Sequence, residues 1–294
     1  MKATKSMVSR NNFDSSTGKL EISGNTIPIP RNFKYYQEGQ DLFIVNPEDG
    51  SIFKWVQVMG VLKKNGLTGK RKTEYGRRDF NGFFEAGLND LQYHETCDKK
   101  FNQCIRKYGG FYISVYKARY DQNVQITYTG NGELVDRIKY KKVKNITTRY
   151  MVKPGLTRDY ITDLPCGAAM DCISEYVFEL LEKEVLEKML PGEKKADAWN
   201  RIEESKNYKE IGVCGIQDLF TGEAELTTET YACAKYHVAV RDGNRGLFTI
   251  CSDDYEEKLF ETGEAIYFEL GHRNFISKEV KFIGYGFRLM LLPL

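Results

Sequence analysis

Long apolar runs are missing from this chain. Nowhere do about 18 apolar residues follow one another, so no membrane-spanning helix is expected. Met1 to Lys19 is polar where a secretory leader would need an apolar centre, which argues against export by the standard route. Histidine is scarce: the three (His94, His237 and His272) are dispersed and show no facial triad. The seven cysteines are odd in number and include no Cys-x-x-Cys pair, which argues against a closed disulfide framework and a zinc site. The default reading is reduced, mostly buried thiols. A surplus of one charge is also lacking. With 43 basic and 41 acidic residues the net charge is +2, too small to predict nucleic acid as a partner. The one basic run, Lys139 to Lys144, reads as the solvated face of an exposed strand.

Aromatics other than tryptophan are abundant: 19 Tyr and 17 Phe against 2 Trp. That balance leans toward β structure and binding surfaces, because tyrosine packs as a hydrophobe and keeps a polar tip. Residues 1–24 form a Ser/Asn/Gly-rich polar arm, a possible attachment segment, and order is expected to begin at Ile27. The remainder, 25–294, reads as one domain with insertions near 60–92 and 124–146. Asp41–Val45 and Ile52–Val58 make a hairpin around the turn Asn46-Pro47-Glu48-Asp49-Gly50. Cys97, Phe101, Cys104, Ile105 and Tyr108 share one face of a helix that Gly109 is placed to end. Val124–Thr129 and Glu133–Lys141 flank Gly130-Asn131-Gly132 as a second hairpin. A longer helix runs from about Ala168 to Leu190 with a buried stripe of Ile173, Val177, Leu180, Leu181 and Val185, and a short one lies near Trp199. Further strands are expected at Tyr236–Arg241, Leu247–Cys251, Ala265–Leu270 and Phe282–Leu291. The glycine- and aromatic-rich segments Tyr108–Ile113 and Ile283–Leu291 are read as paired, which joins the middle of the chain to its end.

Several of these segments carry a resemblance. Ile27-Pro28-Ile29-Pro30-Arg31-Asn32-Phe33, Gly50-Ser51-Ile52-Phe53-Lys54-Trp55-Val56, Tyr108-Gly109-Gly110-Phe111-Tyr112-Ile113, Leu164-Pro165-Cys166-Gly167-Ala168, Gly212–Leu219, Arg245-Gly246-Leu247-Phe248 and Gly286-Phe287-Arg288-Leu289 follow one another in a familiar order. Together they resemble the formylglycine-generating enzyme, or sulfatase-modifying-factor, family over about residues 27–294. The resemblance implies an α+β, C-type-lectin-like fold with two main helices, antiparallel sheets and much irregular structure.

In the catalytic members of that family a cysteine pair ahead of the closing Gly-Phe-Arg strand binds copper, since two soft thiolates suit Cu(I). Here 271–287 contains no cysteine, and Cys251 stands alone upstream. The expectation is therefore a protein that is not an enzyme and needs no cofactor. A Cys251–His272 pairing and Ca²⁺ binding by Asp253 to Glu257 are open alternatives. Phage and prophage members, among them the variable proteins of diversity-generating retroelements, carry ligand contacts between the Arg-Gly and Gly-Phe-Arg motifs. Carried onto this chain that stretch is Leu247 to Tyr285, and the candidate ligand-binding residues are Phe248, Asp254, Tyr255, His272, Arg273 and Asn274, with the last three and Tyr255 expected at loop tips. The function so implied is display on a virion as a tail, fibre or capsid appendage. Its partners would be a host-surface glycan or protein and, through the arm, neighbouring virion subunits in a homo-oligomer. A purely structural virion subunit and a divergent enzyme of the same family are the alternatives.

Overall fold

The computed structural model describes residues 13–14, 18–22, 25–58, 94–135, 137–150, 159–194, 197–198, 201–202, 214–219, 224–231, 234–241, 249–250, 266–267, 273–277, 281–282 and 285–294. Within these, the fold is mixed α+β with mostly antiparallel sheets. Strands β1 (Phe13–Asp14), β2 (Lys19–Ile22) and β3 (Asn25–Pro28) form an antiparallel sheet. Order thus starts ahead of Ile27, and Leu20, inside the stretch read as an arm, is fully buried.

Next come β4 (Lys34–Glu38), β5 (Asp41–Val45) and β6 (Ile52–Gln57). The turn between the last two closes as its residues dictate. Glu48 N–H donates to Asn46 Oδ1 (3.1 Å), Ser51 N–H to Asp49 Oδ1 (2.9 Å) and Gly50 N–H to the Asn46 carbonyl (2.9 Å). Helix α1 (His94–Tyr108) ends at Gly109, whose φ of 73° is the left-handed conformation expected of a helix terminator. The chain then enters β7 (Gly110–Ser114).

The second predicted hairpin is not formed. β8 (Arg119–Tyr120) lies between β9 (Ile126–Thr127) and β10 (Glu133–Leu134) and pairs with both. The basic run, read as strand, is instead the short β11 (Ile138–Lys139) followed by helix α2 (Tyr140–Arg149). Tyr140, Val143, Thr147 and Tyr150 recur at helical spacing and are all buried, which outweighs the local Lys/Tyr alternation. Among the described residues the main helices are therefore three where two are expected: α2 is the addition, and α3 (Gly167–Lys188) matches the longer expected helix. β12 (Tyr160–Asp163) precedes it. After it come β13 (Ala224–Tyr231), β14 (Ala234–Arg241), β15 (Thr249–Ile250), β16 (Ile266–Tyr267), β17 (Arg273–Ser277), β18 (Lys281–Phe282), β19 (Tyr285–Phe287) and β20 (Met290–Pro293). Residues 197–198 and 201–202 are helical, near the short helix expected about Trp199.

A six-stranded antiparallel sheet, in the order β12-β20-β7-β6-β5-β4, organises the molecule. Met290 pairs with Ile113 and Leu291 with Tyr112, so the expected union of the chain end with the Tyr108–Ile113 segment is present. Its glycine-bearing part does something else. Tyr285–Phe287 leaves that sheet and runs parallel to β13, in a four-stranded sheet ordered β17-β14-β13-β19.

The large sheet is buried on both faces. On one, Val56, Phe111, Ile113, Met290 and Leu292 pack with Phe101 and Cys104 of α1 and with Ile173, Val177 and Val185 of α3. On the other, Ile44, Phe53, Trp55, Tyr112 and Leu291 pack with Leu20 and Ile27 of the N-terminal sheet and with Tyr140 and Val143 of α2. Tyr128 and Val135, from the stretch read as an insertion, belong to this second core as well. Burial pushes the Cys104 thiol up to about 12, consistent with a packing role. No described helix is long and apolar enough to cross a membrane.

The closest approach in the large sheet is at Gly110. A Cβ there would lie 2.5 Å from the Val56 carbonyl oxygen and 2.6 Å from the Trp55 ring. Neither neighbour is a flexible side-chain end, so Gly110→Ala is expected to destabilise by about 1–3 kcal/mol through overpacking. A urea titration would show it; an unchanged midpoint would mean that β6 and β7 are not so closely apposed.

Candidate functional site: a loop held by buried cations

The segment 214–219 lies against Phe43 and Lys54 of the large sheet in an unusual backbone conformation. Cys214 has φ 50°, Gly215 φ 72° and Asp218 φ 58°. Outside glycine each such residue costs on the order of 1–3 kcal/mol, so the surroundings must hold it in place. Ile216 and Leu219 anchor it by burial in the α3-side core. Its polar groups are met by charge. Lys54 donates to the Cys214 carbonyl and Arg288 to the Gln217 carbonyl. Gln217 N–H donates to the Val115 carbonyl (2.9 Å). The Asp218 carboxylate accepts from both sides: from Arg119 Nη2 at 3.0 Å to each oxygen, and from Lys117 N–H at 3.2 Å.

Lys54 occupies a core position. The register carries one cross-strand row through Tyr36, Phe43, Lys54, Ile113, Met290 and Asp163, and the lysine side chain in its middle is fully buried. Its ammonium lies 2.7 Å from Asp41 Oδ1 and over the rings of Tyr176 (4.9 Å) and Phe43 (5.6 Å). Tyr176 donates its hydroxyl to the same Asp41 oxygen at 2.7 Å. Burial lowers the Lys54 pKa, and Asp41 opposes that shift. Outward of this cage Tyr36 stacks on Phe43, centroids 5.0 Å apart and planes 11° from parallel. The Tyr36 phenol is pushed up to about 12 by burial and then by Glu38.

Arg288 is the second inward cation. Its guanidinium donates to Glu225 Oε1 (2.9 Å) and to the carbonyls of Ser114 (3.1 Å) and Val115 (2.8 Å), besides Gln217. Lys117 lies 3.9 Å from the same Glu225 oxygen, and all three side chains are buried to within 1%. A guanidinium is suited to this task, since its fixed fork satisfies several oxygens at once and stays charged. The resulting arrangement turns its cations toward backbone oxygens and inward carboxylates. Chemically it immobilises a strained loop and ties β7, β13 and the segment before β20 into one unit. Its partly exposed rim carries Tyr36, Tyr116, Arg119 and Asp218. Among the described residues no three His, Cys, Asp or Glu side chains are gathered where they could hold a metal ion.

Of the residues singled out from sequence, Phe248, Asp254, Tyr255 and His272 lie outside the described residues. Arg273 and Asn274 are described in their backbone and are not at a loop tip. They open β17, the edge strand of the four-stranded sheet. Consecutive strand residues belong to opposite faces. Asn274 falls in a row with Val240, Leu226 and Phe287, of which Leu226 and Phe287 are core residues. Arg273 falls in the row of Arg241, Glu225 and Gly286. The two expected contact residues therefore do not share a face.

Sequence reasoning gave no role to Lys54, Lys117 or Arg288. The available signal was a lysine flanked by Ile52-Phe53 and Trp55-Val56, within a strand apolar on both sides. Comparison with known protein families, curated proteins and solved structures finds no significant match to this chain.

Proposed function

We propose that this chain is a non-enzymatic binding protein of the phage or prophage virion type, with a C-type-lectin-like scaffold that presents the stretch 247–285 to a host-surface ligand. The observation that carries this reading is the position of Arg288. Its guanidinium gathers the strand after Tyr108-Gly109-Gly110, the turn at 214–219, and Glu225 of β13. The first two continue or form segments on which the family resemblance rests, and they meet a third, Gly286–Leu289, at its own buried cation. The same contact bears on the candidate contact stretch. β14 ends at Arg241 shortly before it and β19 begins at Tyr285 where it closes, and both flank β13 in one sheet. Contacts carried between fixed strand ends suit recognition, because the scaffold sets their position while the sequence between can vary.

Purified, fluorescently labelled protein is expected to bind intact bacterial cells or envelope fractions saturably, and His272→Ala/Arg273→Ala is expected to weaken that binding at least tenfold. Titration followed by cell-bound fluorescence measures both. A folded wild-type protein that binds no envelope would overturn the reading and leave a purely structural virion subunit in its place.

A further inference from the structure

Gly130-Asn131-Gly132 lies between β9 and β10. The fold demands its second glycine: Gly132 has φ 93°, and a Cβ there would lie 2.0 Å from the Tyr120 carbonyl oxygen. Asn131 is thus followed by the one residue type that puts no side chain over its own backbone nitrogen. Both residues are exposed. Among the described residues, neither the Asn131 side-chain amide nor the Gly132 N–H has a hydrogen-bond partner. The contact Asn131 makes is through its backbone, whose N–H donates to Thr129 Oγ1 at 3.4 Å.

Comparable steps elsewhere are held. Asp49-Gly50 has a similar sequence, yet Gly50 N–H donates to the Asn46 carbonyl (2.9 Å), and the Asp49 carboxylate accepts from Ser51 N–H (2.9 Å) and the Tyr150 hydroxyl (2.9 Å). Exposed Asn32 precedes Phe33, whose N–H donates to the Pro30 carbonyl (3.0 Å). Exposed Asn123 precedes Val124, whose N–H donates to the Asp121 carbonyl (3.0 Å). Asn145 is exposed within α2, where the helix engages the backbone N–H groups. Asparagine is a thermolabile residue, and Asn131 combines exposure, a free amide and an unengaged glycine nitrogen.

We propose that Asn131 is a site of spontaneous deamidation, converted through a cyclic succinimide to isoaspartate and aspartate. The Gly132 nitrogen gives its proton to hydroxide and attacks Asn131 Cγ. The N–Cγ bond forms, the Cγ–Nδ2 bond breaks, and the side-chain nitrogen leaves as ammonia with a proton taken from water, which restores the hydroxide. Water then opens the ring. Attack at Cγ breaks the new bond and gives aspartate. Attack at the main-chain carbonyl breaks its bond to the Gly132 nitrogen and gives isoaspartate, with the chain now running through Cβ. The sum consumes water, releases ammonia and needs no oxidant. The modification falls beside a contact that matters to the fold: the Gly132 carbonyl accepts from Arg119 Nη1 (3.1 Å), and the same guanidinium holds Asp218. The inference needs no ligand and stands apart from the binding reading.

The test incubates the full chain in mildly alkaline and mildly acidic buffer. Samples are digested at intervals and read by peptide mass and by isoaspartate-specific methyl transfer. Fragment masses separate Asn131 from Asn123, and Asn65-Gly66 and Asn81-Gly82 fall in other peptides. Conversion of amide to acid is expected at Asn131 at least about tenfold faster than at Asn32, Asn123 or Asn145. Isoaspartate should be among the products, and the rate should rise in the alkaline buffer. Asn131→Gln should keep the wild-type melting temperature and lose the isoaspartate signal from this peptide, because the longer side chain closes a ring far more slowly. Conversion no faster than at Asn123 and Asn145, or a signal that survives in Asn131→Gln, would overturn the site. Aspartate as the sole product, or a rate that ignores pH, would overturn the succinimide route.

Discussion

Replacing Arg288 by methionine is expected to cost about 3–5 kcal/mol, the usual scale for breaking a buried ionic contact by removing one partner. The substitution removes the Arg288 Nε donor, 2.9 Å from Glu225 Oε1, from a carboxylate that is 1% exposed and lies 3.9 Å from a buried Lys117. It also removes the donor to the carbonyls of Ser114, Val115 and Gln217. A domain stable by about 5–15 kcal/mol would lose a large share of its margin. Arg288→Met/Glu225→Gln should recover part of the loss, because the amide removes the buried carboxylate's charge, but recovery is incomplete: buried Lys117 loses the Glu225 counter-charge and the freed carbonyls cost about 1–3 kcal/mol. Urea unfolding of wild type and both variants measures the cycle. A single variant within about 0.5 kcal/mol of wild type would show that the guanidinium does not bind these partners.

Stability against pH should rise as Lys54 titrates, opposed above about 9 by the Cys104 thiol that burial holds at about 12, and then collapse above 10. The rise belongs to Lys54. Burial lowers its folded pKa beneath the ordinary 10.5, so between those two values the unfolded chain holds a proton that the folded chain has released. The unfolded state then binds more protons, and stability increases with pH across that window. The collapse begins with the Cys104 thiol and belongs mainly to the phenols. Tyr112, Tyr128, Tyr150, Tyr160 and Tyr176 are all raised above 10.0, chiefly by burial. Below 10 their contribution is fully present, and above it the unfolded chain ionises first, so stability is lost as pH climbs. Several such groups should unfold the protein within about two pH units above 10. Urea midpoints at closely spaced pH values follow both limbs. Lys54→Met should erase the rise and leave the collapse. A Lys54→Met curve of the same slope as wild type below 10 would place the titrating group elsewhere.

Elements with a strong local code were legible in the sequence. The Asn46–Gly50 turn and the Gly109 helix end follow from residues with few other uses, and α3 follows from its long apolar repeat. The pairing of the chain end with the Tyr108–Ile113 segment was legible only in part: Met290 and Leu291 make it, whereas the glycine and aromatics of Tyr285–Phe287 that suggested it pair with β13. What was not legible depended on long-range partners. The stretch 124–141 was ambiguous for this reason: Gly130-Asn131-Gly132 looks like a hairpin turn, yet Ile126–Thr127 and Glu133–Leu134 both find β8 instead.

The same holds for the buried cations. In a strand covered on both faces, alternation no longer marks which side chain meets water, and Lys54 looks like any solvated lysine. Its partners Asp41, Tyr176 and Cys214 are spread along the chain, and only the fold assembles them. Arg288 stood inside a quoted motif, but its role follows from where Ser114, Gln217 and Glu225 arrive. For the candidate contact residues, a polar Gly-His-Arg-Asn string reads as a loop until strand pairing assigns Arg273 and Asn274 to opposite faces.

Lys54 and Arg288 are directed inward and hold the carbonyls of 214–219, which should make that segment as rigid as the sheet. Hydrogen exchange at the Gln217 amide, which donates to the Val115 carbonyl at 2.9 Å, tests this most directly. Exchange there as slow as at the amides of β6 and β7, and accelerated at least a hundredfold in Arg288→Met, is the predicted result. Wild-type exchange at the rate of an open loop would contradict it.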